Sequence, residues 1–389
     1  MRVLIALTYY RPHVSGLTIY TERLGRALVQ RGHKVTVLTS RFDRSLPARE
    51  TVDGVEIIRP RVWLRISKGV IMPTIGYWAN RLALSHDALS IHLPQFDAPG
   101  ITLRGRLLGK PTVLTYHSDL SLPPTLFNRL ANQVVHVANH AAAKLADRIV
   151  AYTRDFAENS PFLSQYLAKV RVIPPPVEVG NATPQAVQAF RARHRLERHK
   201  VIGMAARLAT EKGVEYLLEA APTILEKYPG TRFLFAGQSE NVLGEEAYER
   251  KIAPLLTALG DRWTFLGVLP PDEMAVFFKS CDVTVLPSIN STETFGLVQI
   301  ESMICGTPVV AAGLPGVREP VRITGMGKVI PPRDPIRLAE AVLEVLGDRP
   351  RFIQPSRKIV EMFSPDATAE RYESLFREIA EQKNPTLRL

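Results

Sequence analysis

The chain predicts an α/β protein made of two doubly wound, Rossmann-like domains. Three observations carry that expectation. Short apolar runs alternate with helical stretches in both halves of the sequence, the pattern of parallel sheets covered on both faces. A stiff, turn-rich segment, VIPPPVEVG (172–180), breaks the alternation once, near the middle. The 389 residues are enough for two domains of ordinary size.

In the first half, VLIALT (3–8) reads as a strand and a helix follows from about Leu17. Tyr20, Leu24, Ala27 and Leu28 share one face of that helix and Gly32 is its stop. KVTVLT (34–39), VEIIRP (55–60), LSIHLP (89–94), TVLTYH (112–117) and RIVAYT (148–153) read as further strands, with a long helix over 125–146. In the second half, VIGMAA (201–206), RFLFAG (232–237), WTFLGV (263–268), VTVLPS (283–288), TPVVAA (307–312) and GKVIPP (327–332) read as strands. The stretch 364–382 opens with a Ser-Pro start signal and reads as a closing helix.

Composition narrows the class. Hydrophobic residues make up 46% and charged residues 22%, as in soluble globular proteins. The opening apolar run is too short for a signal sequence or a membrane span. Two cysteines, Cys281 and Cys305, argue against a disulfide scaffold and favour a reducing cytoplasm. A net charge of +11 points to an anionic partner. No zinc-finger spacing or aromatic RNA-binding run is present and the charge is not one block, so nucleic acid is disfavoured. No GxGxxG follows the first strand, which disfavours a dinucleotide oxidoreductase.

Two stretches carry chemistry. In INSTETFGLVQIESM (289–303), Glu293 and Glu301 lie eight residues apart around a turn. Ser291, Thr292 and Thr294 are candidate helix caps, and Leu297, Ile300 and Ile304 recur at helical spacing. Backbone N–H groups of Phe295, Gly296 and Leu297 would offer an anion site at the helix start, with Gly296 allowing close approach. One carboxylate then sits beside the anion and the other about two turns deeper, roughly 12 Å of rise. That layout suits a long ligand with phosphates in the middle and hydroxyls at its ends; the alternative is a surface helix with two unrelated acids. In AARLATEKGVEYLLEA (205–220), a strand-to-helix turn carries Arg207 and Lys212, with Thr210 the candidate cap. Two cations there can hold a diphosphate at the carboxyl edge of a parallel sheet. The alternative is pairing with Glu211 or Glu215.

With E-x7-E (Glu293, Glu301), R-L-x-x-x-K-G (Arg207, Lys212, Gly213) and P-x-x-x-G (Pro12, Gly16) in this order, the chain resembles the family-4 retaining glycosyltransferases of the GT-B fold over essentially its whole length. The resemblance implies two Rossmann-like domains facing each other across a cleft, with the C-terminal helix crossing back to the first. Domains of 1–173 plus 364–389 and of 177–363 are expected, opening and closing about Pro174–Pro176. The implied activity is transfer of a hexose from a UDP- or GDP-sugar to a hydroxyl acceptor with retained configuration, by a front-face route.

The resemblance also assigns residues. Glu293 and His117 would touch the transferred sugar and Glu301 the ribose, with Arg207 and Lys212 on the diphosphate. Phe295, Gly296 and Leu297 would meet sugar or phosphate oxygens, and Gly237 and Val268 would lie near the base. Gly16 would let backbone approach the diphosphate, although Ser15 stands where many members carry glycine. For His117 a hydrogen-bonded histidine at a sheet edge is the alternative, and for Gly16 an ordinary turn glycine. Asp-x-Asp occurs nowhere, so no metal and no cofactor are expected. The 59–73 segment joins Arg59, Arg61, Arg65 and Lys68 to Trp63 and other apolar residues, with Arg104, Arg106 and Lys110 as extensions. It suits a lipid or lipid-linked acceptor at the inner face of an anionic membrane; a solvated loop is the alternative. A monomer or weak dimer is expected. The competing functions are a GT-B-fold sugar-nucleotide epimerase or hydrolase, and a non-catalytic nucleotide-sugar- or RNA-binding protein.

Overall fold

A computed structural model of the chain describes residues 1–66, 69–119, 126–240, 242 and 244–384. The chain divides into two compact units, Met1–Pro176 with Phe363–Leu389, and Val177–Met362.

The first unit contains β1 (Arg2–Ala6), β2 (Lys34–Leu38), β3 (Arg49–Val52), β4 (Val55–Ile58), β5 (Leu64–Ile66), β6 (Gly69–Ile71), β7 (Ala88–Leu93), β8 (Thr112–Tyr116), β9 (Arg148–Ala151) and β10 (Val170–Val172). Eight of these form one sheet in the order β10-β9-β8-β7-β1-β2-β4-β3, parallel except where β3 pairs antiparallel with β4. That antiparallel edge was not expected from the alternation. Its cause is a two-residue Asp53-Gly54 turn, both residues at positive φ, which closes a hairpin. β5 and β6 form a second small hairpin. Several expected strands end one to two residues early, because Pro60, Pro94, Pro287 and Pro331 follow them and lack the N–H that would continue a ladder.

One face of the sheet is apolar, and the other mixes apolar residues with buried Ser90, His92 and Thr115. Leu4, Ala6, Leu89, Ile91, Leu114 and Ile149 pack against helices Ile75–Ser85, Ala98–Leu107 and Leu126–Leu145 on one side. Helix Gly16–Gln30 covers the other side and packs against helix Pro365–Lys383. Ser364 caps that last helix by accepting from the Ala367 N–H at 3.1 Å. Tyr372 is one of its fully buried anchors. Its hydroxyl lies 2.8 Å from the Tyr20 hydroxyl and 2.6 Å from Thr115 Oγ1, and Tyr20, Tyr372 and Thr115 are all fully buried. At the rim, Arg31 pairs with Asp366 at 2.9 Å and Glu373 at 3.0 Å.

The second unit contains β11 (Val201–Ala205), β12 (Arg232–Ala236), β13 (Trp263–Gly267), β14 (Val283–Leu286), β15 (Val309–Ala312) and β16 (Gly327–Ile330). All six are parallel, in the order β13-β12-β11-β14-β15-β16. Chain order therefore reverses between β11 and β14, and ligands of open α/β sheets bind outside the strand ends at such a break. Helices Val214–Lys227 and Pro335–Gly347 pack together over one face, burying Leu217, Leu218, Leu338 and Val342 with Phe233 and Phe235.

Removing the Tyr372 hydroxyl tests how the closing helix is held. Tyr372→Phe leaves two buried hydroxyl groups short of a partner and should lower stability by about 1–3 kcal/mol. Chemical denaturation measures it, and an unchanged midpoint would show that the apolar contacts of the helix suffice.

Candidate functional site

The strand-order break brings the two sequence motifs together. β11 ends at Ala205 and the chain runs through Arg207 into a short turn, Thr210–Lys212. Gly213 reverses it with φ 65°, then helix Val214–Lys227 begins. A Cβ on Gly213 would lie 2.3 Å from the Pro287 carbonyl oxygen, just past β14. Only glycine tolerates both the conformation and the contact. The Ile289 N–H donates to the Glu211 carbonyl at 3.0 Å, and Lys212 Nζ reaches Glu293 Oε2 at 2.5 Å. Lys212 and Glu293 are each mostly shielded from solvent. Arg207 is half-exposed and pairs with Glu211 at 2.8 Å. Both cations of the turn are thus held by carboxylates of the same small region.

Thr210 does not cap the helix. Its N–H and hydroxyl both donate to Glu245, at 2.9 and 2.7 Å, which pins the turn to the segment after β12. Glu215, buried in the first turn of the helix, accepts from the Tyr248 hydroxyl and pairs with Lys251 at 3.3 Å. Glu211, Glu215 and Glu245 were therefore undervalued as site residues. Their acidity beside a phosphate-suited turn was the available signal, and it points away from an anion until the pairings are known.

The caps expected at 291–294 are also corrected. Helix Leu297–Ile304 is entered by Gly296, at φ 76° and ψ 76°, with no side-chain cap bond. Thr292 instead folds onto Asn290, its N–H and hydroxyl both donating to Oδ1. A Cβ on Gly296 would meet Leu286 Cδ2 at 2.4 Å. Phe295 is buried and its carbonyl accepts from Gln299 Nε2 at 2.7 Å. Leu297 opens the helix and Glu301 lies one turn on, partly buried. Ser288, unremarked in the sequence, has a buried Oγ with no hydrogen-bond partner among the described residues.

Gly237, with φ 135°, follows β12. Its N–H donates to the Gly267 carbonyl at 2.7 Å, and an added Cβ would sit 1.9 Å from the Ala206 carbonyl oxygen. The ends of β11, β12 and β13 are therefore drawn tight along one edge, and Val268 projects beyond them into solvent.

In the first unit, Gly16 begins helix Gly16–Gln30, and Ser15 is its cap, accepting from the Thr18 N–H at 3.2 Å. A Cβ on Gly16 meets nothing within 4 Å. Ser15 therefore serves the helix start rather than distorting it. His117 follows β8 and is buried. Its Nε2 lies 2.8 Å from His92 Nδ1, and its Nδ1 meets the Tyr152 hydroxyl. Burial, reinforced by His92, holds it well below the usual histidine range and therefore neutral. The hydrogen-bonded arrangement weighed as the alternative for His117 is the one observed.

The basic segment needs a correction. Arg59 is buried, donates to the Arg11 and Pro47 carbonyls at 3.0 and 3.3 Å, and pairs with Glu50 at 2.5 Å. It holds loops together and cannot meet an acceptor or a membrane. Lys68 lies outside the described residues. Arg61, Trp63 and Arg65 are exposed, Trp63 at 79%. Among the described residues no group of three or more His, Cys, Asp or Glu side chains is arranged to hold a metal, and no helix is long and apolar enough to cross a membrane.

Two doubly wound units, the second with its motifs at a strand-order break, define the class of two-domain α/β glycosyltransferases. Residues 14–180 match the family described as Glycosyltransferase Family 4, and residues 187–361 match Glycosyl transferases group 1. The D-inositol 3-phosphate glycosyltransferase of Acidothermus cellulolyticus is 29% identical over 413 residues, covering 95% of this chain and 87% of that protein. An uncharacterized glycosyltransferase of Methanocaldococcus jannaschii is 25% identical over 396 residues, covering 95% and 96%. Among solved structures, Anabaena HepE in complex with UDP-glucose superposes with a TM-score of 0.74 at 18% identity, covering 97% of this chain and all of that one. Sucrose-phosphate synthase of Thermosynechococcus elongatus gives 0.73 at 22% identity, covering 97% and 98%. The chain belongs to the family-4 glycosyltransferases of the GT-B fold.

The three glycines make separate demands. Gly213→Ala and Gly237→Ala should each cost at least about 2 kcal/mol, since each drives a Cβ into a carbonyl at positive φ. Gly16→Ala should leave the denaturation midpoint unchanged. A destabilised Gly16→Ala, or a fully stable Gly213→Ala, would contradict these contacts.

Proposed function

We propose that this glycosyltransferase moves a hexose from a nucleoside-diphosphate sugar, with a UDP- or GDP-linked donor, to a hydroxyl acceptor with retention of configuration and without a metal. The observation that carries the reading is the meeting of Arg207, Lys212, Glu293 and the uncapped start of helix Leu297–Ile304 around one strand-order break.

The chemistry follows from the pairings. Arg207 with Glu211 and Lys212 with Glu293 form two neutral pairs. A diphosphate carries a higher charge density than either carboxylate and takes the cations in exchange. Glu293, released by Lys212, is then placed to accept from hydroxyls of the transferred sugar. As the C1–O bond breaks, negative charge grows on the leaving diphosphate, and Arg207, Lys212 and the helix-start amides stabilise it in place. Phe295, Gly296 and Leu297 supply those amides, Glu301 takes the ribose, and Gly237 and Val268 border the base. Gly16 gives the backbone room beside the diphosphate, and His117, whose two ring nitrogens are taken by His92 and Tyr152, supports the transferred sugar through its ring edge or main chain. Retention by a front-face route leaves the donor's own phosphate oxygen to accept the acceptor proton, so positioning carries much of the rate.

Arg207→Ala and Lys212→Ala should each lower kcat/KM by about a hundredfold or more with unchanged thermal unfolding. Activity should persist in excess chelator. A thermal-shift panel of nucleotide sugars should raise Tm for the true donor in wild type, and less in either variant. Near-normal turnover in both variants would refute the assignment. Hydrolysis or epimerisation of the donor as fast without acceptor as with it would favour the epimerase or hydrolase alternative.

We further propose a lipid or lipid-linked acceptor, met at the inner, anionic surface of a membrane. Charge supports this. The chain has 49 Lys and Arg against 38 Asp and Glu. The second unit holds 22 of each, which leaves 27 against 16 in the first. Within residues 57–146, leaving out the buried Arg59 that pairs with Glu50, the ratio is nine to three. Two of those three acids are committed, Asp87 to Arg2 and Asp119 to the Tyr116 and Ser160 hydroxyls, and the Asp97 carboxyl is pushed up to about 6 by burial. Exposed Trp63, Leu64, Tyr77, Leu103 and Leu107 stand among these cations. Co-sedimentation should show binding to vesicles containing anionic lipid at low salt, none to neutral vesicles, and release at salt concentrations where the Debye length falls to about 3 Å. Trp63→Ser should weaken it. Failure to bind anionic vesicles at low salt would remove the membrane from the proposal.

A further inference from the structure

A row of polar side chains runs through the interior of the first unit, across three neighbouring strands. Ser90 and His92 lie on β7, His117 follows β8 and Tyr152 follows β9. Ser90 Oγ is 3.3 Å from His92 Nε2, His92 Nδ1 is 2.8 Å from His117 Nε2, and His117 Nδ1 meets the Tyr152 hydroxyl. Ser90 and His92 are essentially without solvent exposure, and His117 and Tyr152 are nearly so. Tyr20 closes the row from the helix side. Its ring stacks on Tyr152 at 5.4 Å and stands edge-on to His117 at 5.0 Å and to His92 at 5.7 Å.

Neither imidazole carries charge. Burial pushes His92 down to about 3 and His117 well below its ordinary range. A neutral imidazole has one donor and one acceptor nitrogen. The row therefore has only two self-consistent orders. In one, Ser90 donates to His92, His92 Nδ1–H to His117 Nε2, and His117 Nδ1–H to Tyr152. In the other, every proton points back toward Ser90. His117 is the Nδ1–H tautomer in the first and the Nε2–H tautomer in the second. Leucine or phenylalanine at 92 would fill the same space without burying polar atoms, so packing alone does not account for a histidine there.

We propose that His92 is a positioning residue: with Tyr152 it fixes the ring plane of His117 and couples the tautomer of that ring to its own. The proposal rests on the reading that His117 supports the transferred sugar. His92 acts only through His117, by holding the ring at Nε2 while Tyr152 holds it at Nδ1. The row is a support for a neutral ring, and it gives the ring a defined orientation that a solvent-exposed histidine would lack.

His92→Phe and His92→Gln separate this from simple packing. The phenyl ring removes the nitrogen that meets His117, whereas the amide of glutamine can both donate and accept. In His92→Phe, kcat should fall about tenfold or more, with KM for the nucleotide sugar changed by less than about twofold. His92→Gln should recover most of the loss. In protein carrying 15N-histidine, the nitrogen shifts of His117 report its tautomer, and they should change in His92→Phe and return toward wild type in His92→Gln. A His92→Phe enzyme with kcat within about twofold of wild type and unchanged His117 nitrogen shifts would overturn the proposal. If His92→Phe fails to fold, His92→Gln and Tyr152→Phe decide it, the latter by the same nitrogen signature. His117→Ala with full turnover would refute the role of His117 in transfer. The nitrogen shifts of His92→Phe would then still show whether His92 sets that ring.

Discussion

The close approach of two loops at the break in the second sheet is the constraint on which the site depends. β11 and β14 are neighbours in space, yet the loops that leave them lie some eighty residues apart in sequence. They touch because Gly213 has no side chain where Pro287 presents its carbonyl. The Ile289 N–H then closes on the Glu211 carbonyl, and Lys212 reaches Glu293. A Cβ at 213 would push the loops apart, and the pairings would go with the contact. Backbone geometry comes first here and electrostatics second.

That order explains how a region rich in acids can serve an anion. Glu211, Glu245 and Glu293 sit beside or within the turn that bears Arg207 and Lys212. Exposed pairs of this sort contribute little stability, so they are cheap to exchange. The more shielded Lys212–Glu293 contact holds both side chains near one geometry before a ligand arrives. Glu245 is different. It spends its carboxylate on the N–H and hydroxyl of Thr210, and so fixes the backbone of the turn rather than its charge. The carboxylates thus divide between holding the turn and holding its cations.

Much of this was legible. The alternation of elements, the shared edge of the two motifs, and the pairing of Arg207 with Glu211 weighed as an alternative all lay within reach of spacing and residue type. What was not legible depended on long-range packing. Thr210, Ser291 and Thr292 carry the chemistry of helix caps, but tertiary partners claimed Thr210 and a local Asn290 turn claimed Thr292, leaving glycine at both helix starts. Arg59 and Arg61 are two residues apart in one basic run, and nothing local separates them. Strand alternation would put both on one side, but the chain has left β4 at Ile58 and Pro60 stands between them, so one side chain is buried against Glu50 and two carbonyls and the other is exposed. The antiparallel β3–β4 edge was readable in principle, because Asp53-Gly54 between valines is a strong hairpin signal. The expectation of an all-parallel sheet hid it.

The two histidines of the first unit show why a residue's type is weaker evidence than its neighbours. His117 was singled out by position, while His92 drew no notice inside an apolar strand. The strand register places His92 beside Thr115, two residues before His117, and so makes the contact between the rings possible. Thr115 in turn meets Tyr372, and Tyr372 meets the same Tyr20 that packs on both imidazoles and on Tyr152. The closing helix is therefore tied by one phenol both to the strand that presents His117 and to the aromatic ring that flanks it. A change in the seating of helix Pro365–Lys383 reaches the end of β8 through one hydrogen bond and the flanking Tyr20 through another. The last helix of the chain is for that reason part of the support of the first unit's histidine row.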